Sequence, residues 1–298
     1  MQNKWIKWGF IEGVMKASGK IIRKPLGVAS KSLAGSMLAT FIIGIIQSIG
    51  GLTGIVLGKK RILSSKNEIF GGIIFGLVAS IMTVIGIWVF TYKEADVGIA
   101  TFLITLAVVP GAIIDWLFFG KKLKKHQLIA LLIFVVTAYC FLNFPPLIYF
   151  FELPVWILLS LALALLASIN EVTSKLVRKM DVWVYNFWVG LTTMVVSFAG
   201  VVFFYKDNIN LQDTRKILII SSLNGIIVLI MICAKLMSYK KGGYIALKSL
   251  VMQSTHLILA TVFGVIFYNE VLTSGKIIGM VGFIFSFSLM NGNFFKKI

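Results

Sequence analysis

Thr91-Tyr92-Lys93-Glu94 is echoed by Ser238-Tyr239-Lys240-Lys241, and that pairing decides how the chain is organised. Around it, Ile99-Ala100 returns as Ile245-Ala246 and Phe118-Phe119-Gly120 as Phe267-Tyr268-Asn269. Near the start, Ser18-Gly19-Lys20-Ile21-Ile22-Arg23-Lys24 returns as Thr173-Ser174-Lys175-Leu176-Val177-Arg178-Lys179. The offset is 155 residues at Lys20 and Lys175, 147 at Tyr92 and Tyr239, and 149 at Phe118 and Phe267. A nearly constant offset of half of 298 residues marks a duplication, and in a membrane protein duplication around a central site is a common plan for secondary transporters.

Both copies are too apolar for water. With 58% hydrophobic residues and a mean hydropathy of +0.95, the chain exceeds the roughly half-apolar composition of soluble domains. A spanning helix needs roughly 17 to 25 apolar residues. Nine such runs are plain, at 33 to 58, 69 to 91, 98 to 119, 127 to 144, 154 to 174, 183 to 205, 216 to 238, 243 to 268 and 276 to 293. A weaker tenth, interrupted by Glu12, Lys16 and Lys20, comes first at 5 to 23. It lacks the clean apolar core of a cleavable signal. The net charge of +18 is read through its placement. With ten spans and both termini in the cytoplasm, 17 of the 29 Lys and Arg residues fall on the cytoplasmic side, 8 on the opposite side and 4 within spans. That bias follows the positive-inside rule, so the surplus reads as topology with attraction to anionic lipid and not as a nucleic-acid surface. Cys140 and Cys233 both fall inside spans, which makes a disulfide framework unlikely and small core residues the expectation.

The copies divide at Asn143-Phe144-Pro145-Pro146, giving units 1–146 and 147–298. Five helices per unit is an odd number, so the second unit enters the membrane upside down. The fold class expected is an all-α membrane protein of ten transmembrane helices in two inverted five-helix repeats, the arrangement that supports alternating access. Gly98-Ile99-Ala100, Trp116-Leu117-Phe118-Phe119-Gly120 and Phe267-Tyr268-Asn269-Glu270-Val271-Leu272 leading into Gly279 make the chain resemble the drug/metabolite transporter superfamily, of the EamA-like ten-helix type. Glu270 matches the glutamate that follows the ninth helix in that family. The first copy carries Lys121 at the equivalent place, and Pro110 lies two residues after the position of the family's mid-helix proline. The resemblance implies a cavity walled by helices one, three, four, six, eight and nine.

Charged residues inside spans carry an insertion penalty of roughly 2.5 to 3.5 kcal/mol each and so need a cavity, a partner or the interface. Glu12, Lys16 and Lys20 recur every four residues and share one stripe of the first helix. This reads either as an interfacial helix with a self-neutralised Glu12/Lys16 pair or as a spanning helix whose stripe lines a water-filled route. Asn170 and Glu171 end the sixth helix, where Glu171 has either Lys175 as an i, i+4 partner or a coupling-proton role shared with Glu12. Asp115 reads as a carboxylate reaching the basic interface. Lys235 either snorkels or meets substrate. On the ninth helix Lys248 shares a face with Thr255, while Gln253 and His256 form a second polar strip; His256 reads as a satisfied core residue or a proton relay. Lys248 is also the residue that resembles the basic, substrate-contacting positions of triose-phosphate and nucleotide-sugar translocators. Trp88 is the repeat equivalent of Lys235. Gly50, Gly54, Gly58, Gly72 and Gly76 are spaced for close helix packing.

No phosphate-binding loop, nucleophile-base pair or metal-ligand cluster is visible, so neither an enzyme nor a cofactor or metal is expected. The expectation is a transporter in the cell membrane that moves a small metabolite, with more intramembrane lysine than carboxylate favouring a substrate with a negative group. Two alternatives stand beside it. One is export of amino acids or amphipathic drugs across an aromatic lining of Trp88, Phe102 and Trp188; the other is a non-transporting membrane protein such as a lipid-handling scaffold. The partners this reading admits are a small-molecule substrate, the lipid bilayer and a second copy in a homodimer.

Overall fold

The computed structural model describes residues 4–62, 65–107, 110, 117, 125–141, 153–204, 211–242 and 245–290. Among these residues every regular element is helical: α1 (Lys4–Ser30), α2 (Leu33–Leu57), α3 (Lys66–Trp88) with a 3-10 turn at Val89–Thr91, α4 (Val97–Thr105), α5 (Lys125–Phe141), α6 (Val155–Leu176), α7 (Val182–Phe203), α8 (Leu211–Lys240), α9 (Ile245–Tyr268) and α10 (Ser274–Met290). Six stretches, Leu33–Leu57, Lys66–Thr91, Val155–Leu176, Val182–Phe203, Asp213–Lys240 and Val251–Tyr268, are long and apolar enough to cross a bilayer. Asp115 and the segments Trp116, Phe118 to Lys121 and Asn143 to Pro146 lie outside the described residues.

Local chemistry sets the helix ends. Ser32 accepts from Gly35 N at 3.1 Å, Asp96 from Ile99 N at 2.8 Å and Asp181 from Trp183 N at 2.9 Å, each satisfying one of the free N–H groups of a first turn. The first helix runs past Pro25 to Ser30, seven residues beyond the expected end. Proline removes the N–H that would bond the carbonyl four residues back. That carbonyl belongs to Ile21, and the Tyr268 hydroxyl donates to it at 2.7 Å, so a side chain 247 residues away lets the helix continue through its proline.

Polarity is inverted relative to a soluble protein. Val56, Phe70, Leu165, Phe203, Ile266 and Val281 are exposed, while Glu12, Gln47, Asn186, Asn224 and Lys248 are buried, as lipid-facing helices around a polar interior require. Two apolar clusters flank α1, which contributes Leu26 to one with Ile43, Tyr185 and Leu236, and Ala17 to the other with Val97, Leu163 and Ala260. The first helix is thus packed inside the bundle, against α8 and α9.

Helix neighbours follow a pattern. α1 lies on α8 and α9 as α6 lies on α3 and α4; α2 touches α8 as α7 touches α3; and α2 pairs with α7, α4 with α9 and α5 with α10. Exchanging α1–α5 for α6–α10 therefore returns each of these pairs. The α2–α7 seam is a backbone contact. A Cβ on Gly44 would sit 2.6 Å from Met194 N, one on Gly51 2.5 Å from Phe187 N and one on Gly190 2.5 Å from Ser48 N, so only glycine permits the approach. Of the expected packing glycines, Gly50, Gly54, Gly72 and Gly76 face Leu229, Trp183, Trp188 and Thr192, whereas Gly58 ends α2 and meets only its own turn and Lys60.

Candidate functional site

Four helices place charged side chains at one point inside the bundle. Lys248 on α9 is fully buried, and its Nζ donates to Glu12 Oε1 of α1 at 3.1 Å with Oε2 at 2.8 Å. The same ammonium donates to Glu171 Oε2 of α6 at 2.8 Å. Lys235 on α8 pairs with Glu171 Oε1 at 3.0 Å and donates to Asn170 Oδ1. Lys16 stands 3.5 Å from Glu12 and 3.6 Å from Glu171. Tyr239 donates to Glu171 Oε2 at 2.5 Å, and its ring lies 4.7 Å from the Lys248 ammonium.

Three lysines therefore face two carboxylates, leaving one positive charge. Glu12 and Lys248 are wholly removed from water and Lys235 nearly so, and only the mutual pairing and the added hydrogen bonds make such burial tolerable. Glu171 is the hub. It reaches lysines on α1, α8 and α9.

Of the residues singled out from sequence, Glu12, Lys16, Asn170, Glu171, Lys235 and Lys248 come together. Gln253 and His256 are buried beside them on α9, with His256 Nδ1 3.5 Å from Gln253 Oε1. Trp88 does not join: it is half-buried at the end of α3, and among the described residues its side chain makes no hydrogen bond or ring contact with the network. Phe102 stacks on Phe141 at 4.2 Å between ring centroids, and Trp188 Nε1 donates to Ile62 O at 3.3 Å, so both are engaged in packing.

Sequence reasoning missed Tyr239, although it follows Lys235 by four residues and so shares its helical face. At one end of the bundle, Tyr239 joins Arg178, Lys179, Lys240 and Gly242 in lining a basic mouth. Toward the other end, ion pairs link the first and second halves of the chain. Lys24 donates to Glu270 Oε1 at 2.7 Å, and Glu270 also accepts from Val97 N at 2.7 Å and Gly98 N at 3.2 Å. Lys276 donates to Asp96 Oδ2 at 2.5 Å and Lys31 to Asp213 Oδ2 at 2.6 Å. The first turn of α4 is thus held by Asp96 beside it and by Glu270 from the far half, where its free N–H groups and dipole favour a negative partner.

These helices, apolar outside and ionised within, define a multi-pass α-helical membrane protein. No family model matches the chain, and no curated protein matches it. A solved structure described as "Crystal structure of protein" is similar over 100% of this chain and 99% of its own, with a TM-score of 0.69 at 15% identity. That likeness concerns the fold.

Proposed function

We propose that this protein is a secondary-active transporter of the drug/metabolite transporter superfamily, moving a small metabolite with a negative group by alternating access. In this reading ten helices cross the cell membrane as two inverted repeats, 1–146 and 147–298, with both termini cytoplasmic. The observation that carries it is the buried ion network, built jointly by α1 from the first half and α6, α8 and α9 from the second. Ionised groups inside a membrane protein mark a solute or ion route by default, and this one lies where the two halves meet.

The exchange-symmetric packing of the helices supports a duplicated frame with two related conformations. Rocking that opens the end of the bundle carrying Lys24–Glu270 and Asp96–Lys276 parts those two pairs, and the cross-half contacts Glu12–Lys248 and Lys16–Glu171 lie on the path between the halves. Glu12 and Glu171 are the coupling carboxylates: neutralising either loosens the ion pairs that hold the halves together. Lys16, Lys235, Lys248, Asn170, Gln253 and His256 supply the polar wall.

Purified protein in sealed proteoliposomes, screened for counterflow with a panel of labelled carboxylates and phosphate esters, tests the reading. Saturable protein-dependent flux that Glu171→Gln abolishes is expected. Specific binding without flux would favour a non-transporting membrane protein.

A further inference from the structure

Lys16, Lys24, Lys235, Lys248 and Lys276 each have a carboxylate within ion-pair distance. Lys20 and Arg23, on the same stripe of α1 as Glu12 and Lys16, have none among the described residues. Lys20 is 3% exposed and its Nζ has no hydrogen-bond partner. Among the described residues the Phe90 ring lies 4.9 Å from the ammonium, and a cation over an aromatic face is held more weakly than one in a buried ion pair. Arg23 is half-buried, and its Nε is fully buried and unbonded. His256, also buried with an unbonded Nε2, feels the charges of Lys16, Lys20 and Arg23 together. A guanidinium cannot shed its proton, so a fixed positive charge stands here with its Nε donor buried and unbonded.

We propose that Lys20 and Arg23 form the binding point for an oxyanion, a carboxylate or phosphate group, on the solute that the protein moves; the last clause rests on the transport reading above. Lys248, already held by Glu12 and Glu171, maintains the network instead. Arg23 supplies bidentate geometry that suits a planar carboxylate or two phosphate oxygens. Lys20 adds a point charge from one turn earlier. Gly86 on α3 lies against the guanidinium, and a Cβ there, 2.8 Å from Arg23 Nη1, would push that flexible end aside.

The test is a thermal-shift titration of the full chain in detergent with potassium phosphate and potassium acetate against potassium chloride at equal ionic strength. At least one oxyanion should give a saturable rise in apparent Tm beyond chloride. Lys20→Met and Arg23→Gln should each weaken the apparent affinity at least tenfold, and Gly86→Ala, which displaces the guanidinium without removing charge, should weaken it too. The exposed Lys216→Met should leave it unchanged. Because an unpaired buried cation destabilises the empty protein, Lys20→Met should match or exceed the wild-type Tm without ligand. The proposal is overturned by the absence of a saturable oxyanion response, by a response that survives Arg23→Gln, or by a large loss of ligand-free stability in both charge variants. Stabilisation by phosphatidylglycerol with none by phosphate or acetate would overturn the assignment to a soluble solute. In proteoliposomes, saturable flux whose KM is unchanged by Arg23→Gln would sink this site and leave transport standing. Arg23-dependent binding without wild-type flux would sink transport and leave the site.

Discussion

Lys248→Met removes the cation that hydrogen-bonds to both carboxylates of the network. Glu12 is fully buried and would keep only Lys16, at 3.5 Å, in place of a contact at 2.8 Å. Glu171 would fare better, retaining Lys235 at 3.0 Å and the Tyr239 hydroxyl at 2.5 Å. The damage therefore concentrates on Glu12. Deleting one partner of a buried pair costs about 3 to 5 kcal/mol, because the remaining charge is left uncompensated. At about 2 to 4 °C per kcal/mol for a chain of this size class, the apparent Tm in detergent should fall by on the order of 10 °C. Glu12→Gln added to Lys248→Met takes the stranded charge away, and the double variant should recover most of that loss. Tryptophan fluorescence during heating measures all three proteins. A single variant within about a degree of wild type, or a double variant no better than the single, would refute the assignment of Lys248 as a structural counter-ion; the degree scale is that of a few tenths of a kcal/mol.

Two further outcomes follow from the geometry. Tyr268→Phe strands the Ile21 carbonyl that Pro25 leaves open and should lower stability by about 1 to 3 kcal/mol; Pro25→Ala restores a backbone N–H, so in that background the same change should cost little in a heating curve. Reporter fusions at residues 3 and 298 should both read as cytoplasmic from the 17 to 8 charge bias, and opposite sides would break the ten-span topology.

The charged members of the site were legible because an apolar run makes any ion conspicuous: Glu12, Lys16, Glu171, Lys235 and Lys248 interrupt stretches that have no other reason to contain charge. Their pairing was not legible. Glu171 has a ready local partner in Lys175, and nothing in one sequence says that three lysines from other helices will compete for it. Trp88 pairs with Lys235 by repeat register, which fixes a position along the membrane normal and not the direction of a side chain. Helix ends read well where a Ser or Asp cap precedes an apolar run, as at Ser32 and Asp181. The reading failed at Pro25, since the compensating hydroxyl comes from the other end of the chain.

A network meant only to hold two halves together would be best served by apolar packing, because a buried ion pair seldom outperforms well-packed hydrophobic residues of the same volume. What ions supply instead is exchange of partners. Glu171 has Lys16, Lys235, Lys248 and Tyr239 within reach, so losing the cross-half contact to Lys16 at 3.6 Å leaves its contacts within the second half intact. Glu12 has no such reserve beyond Lys16 on its own helix. Parting the halves therefore strands Glu12 more than Glu171, and a proton or a bound cation at Glu12 would relieve that penalty. The asymmetry makes Glu12→Gln the informative variant for coupling: it should weaken dependence of flux on an ion gradient while leaving solute binding at Arg23 in place.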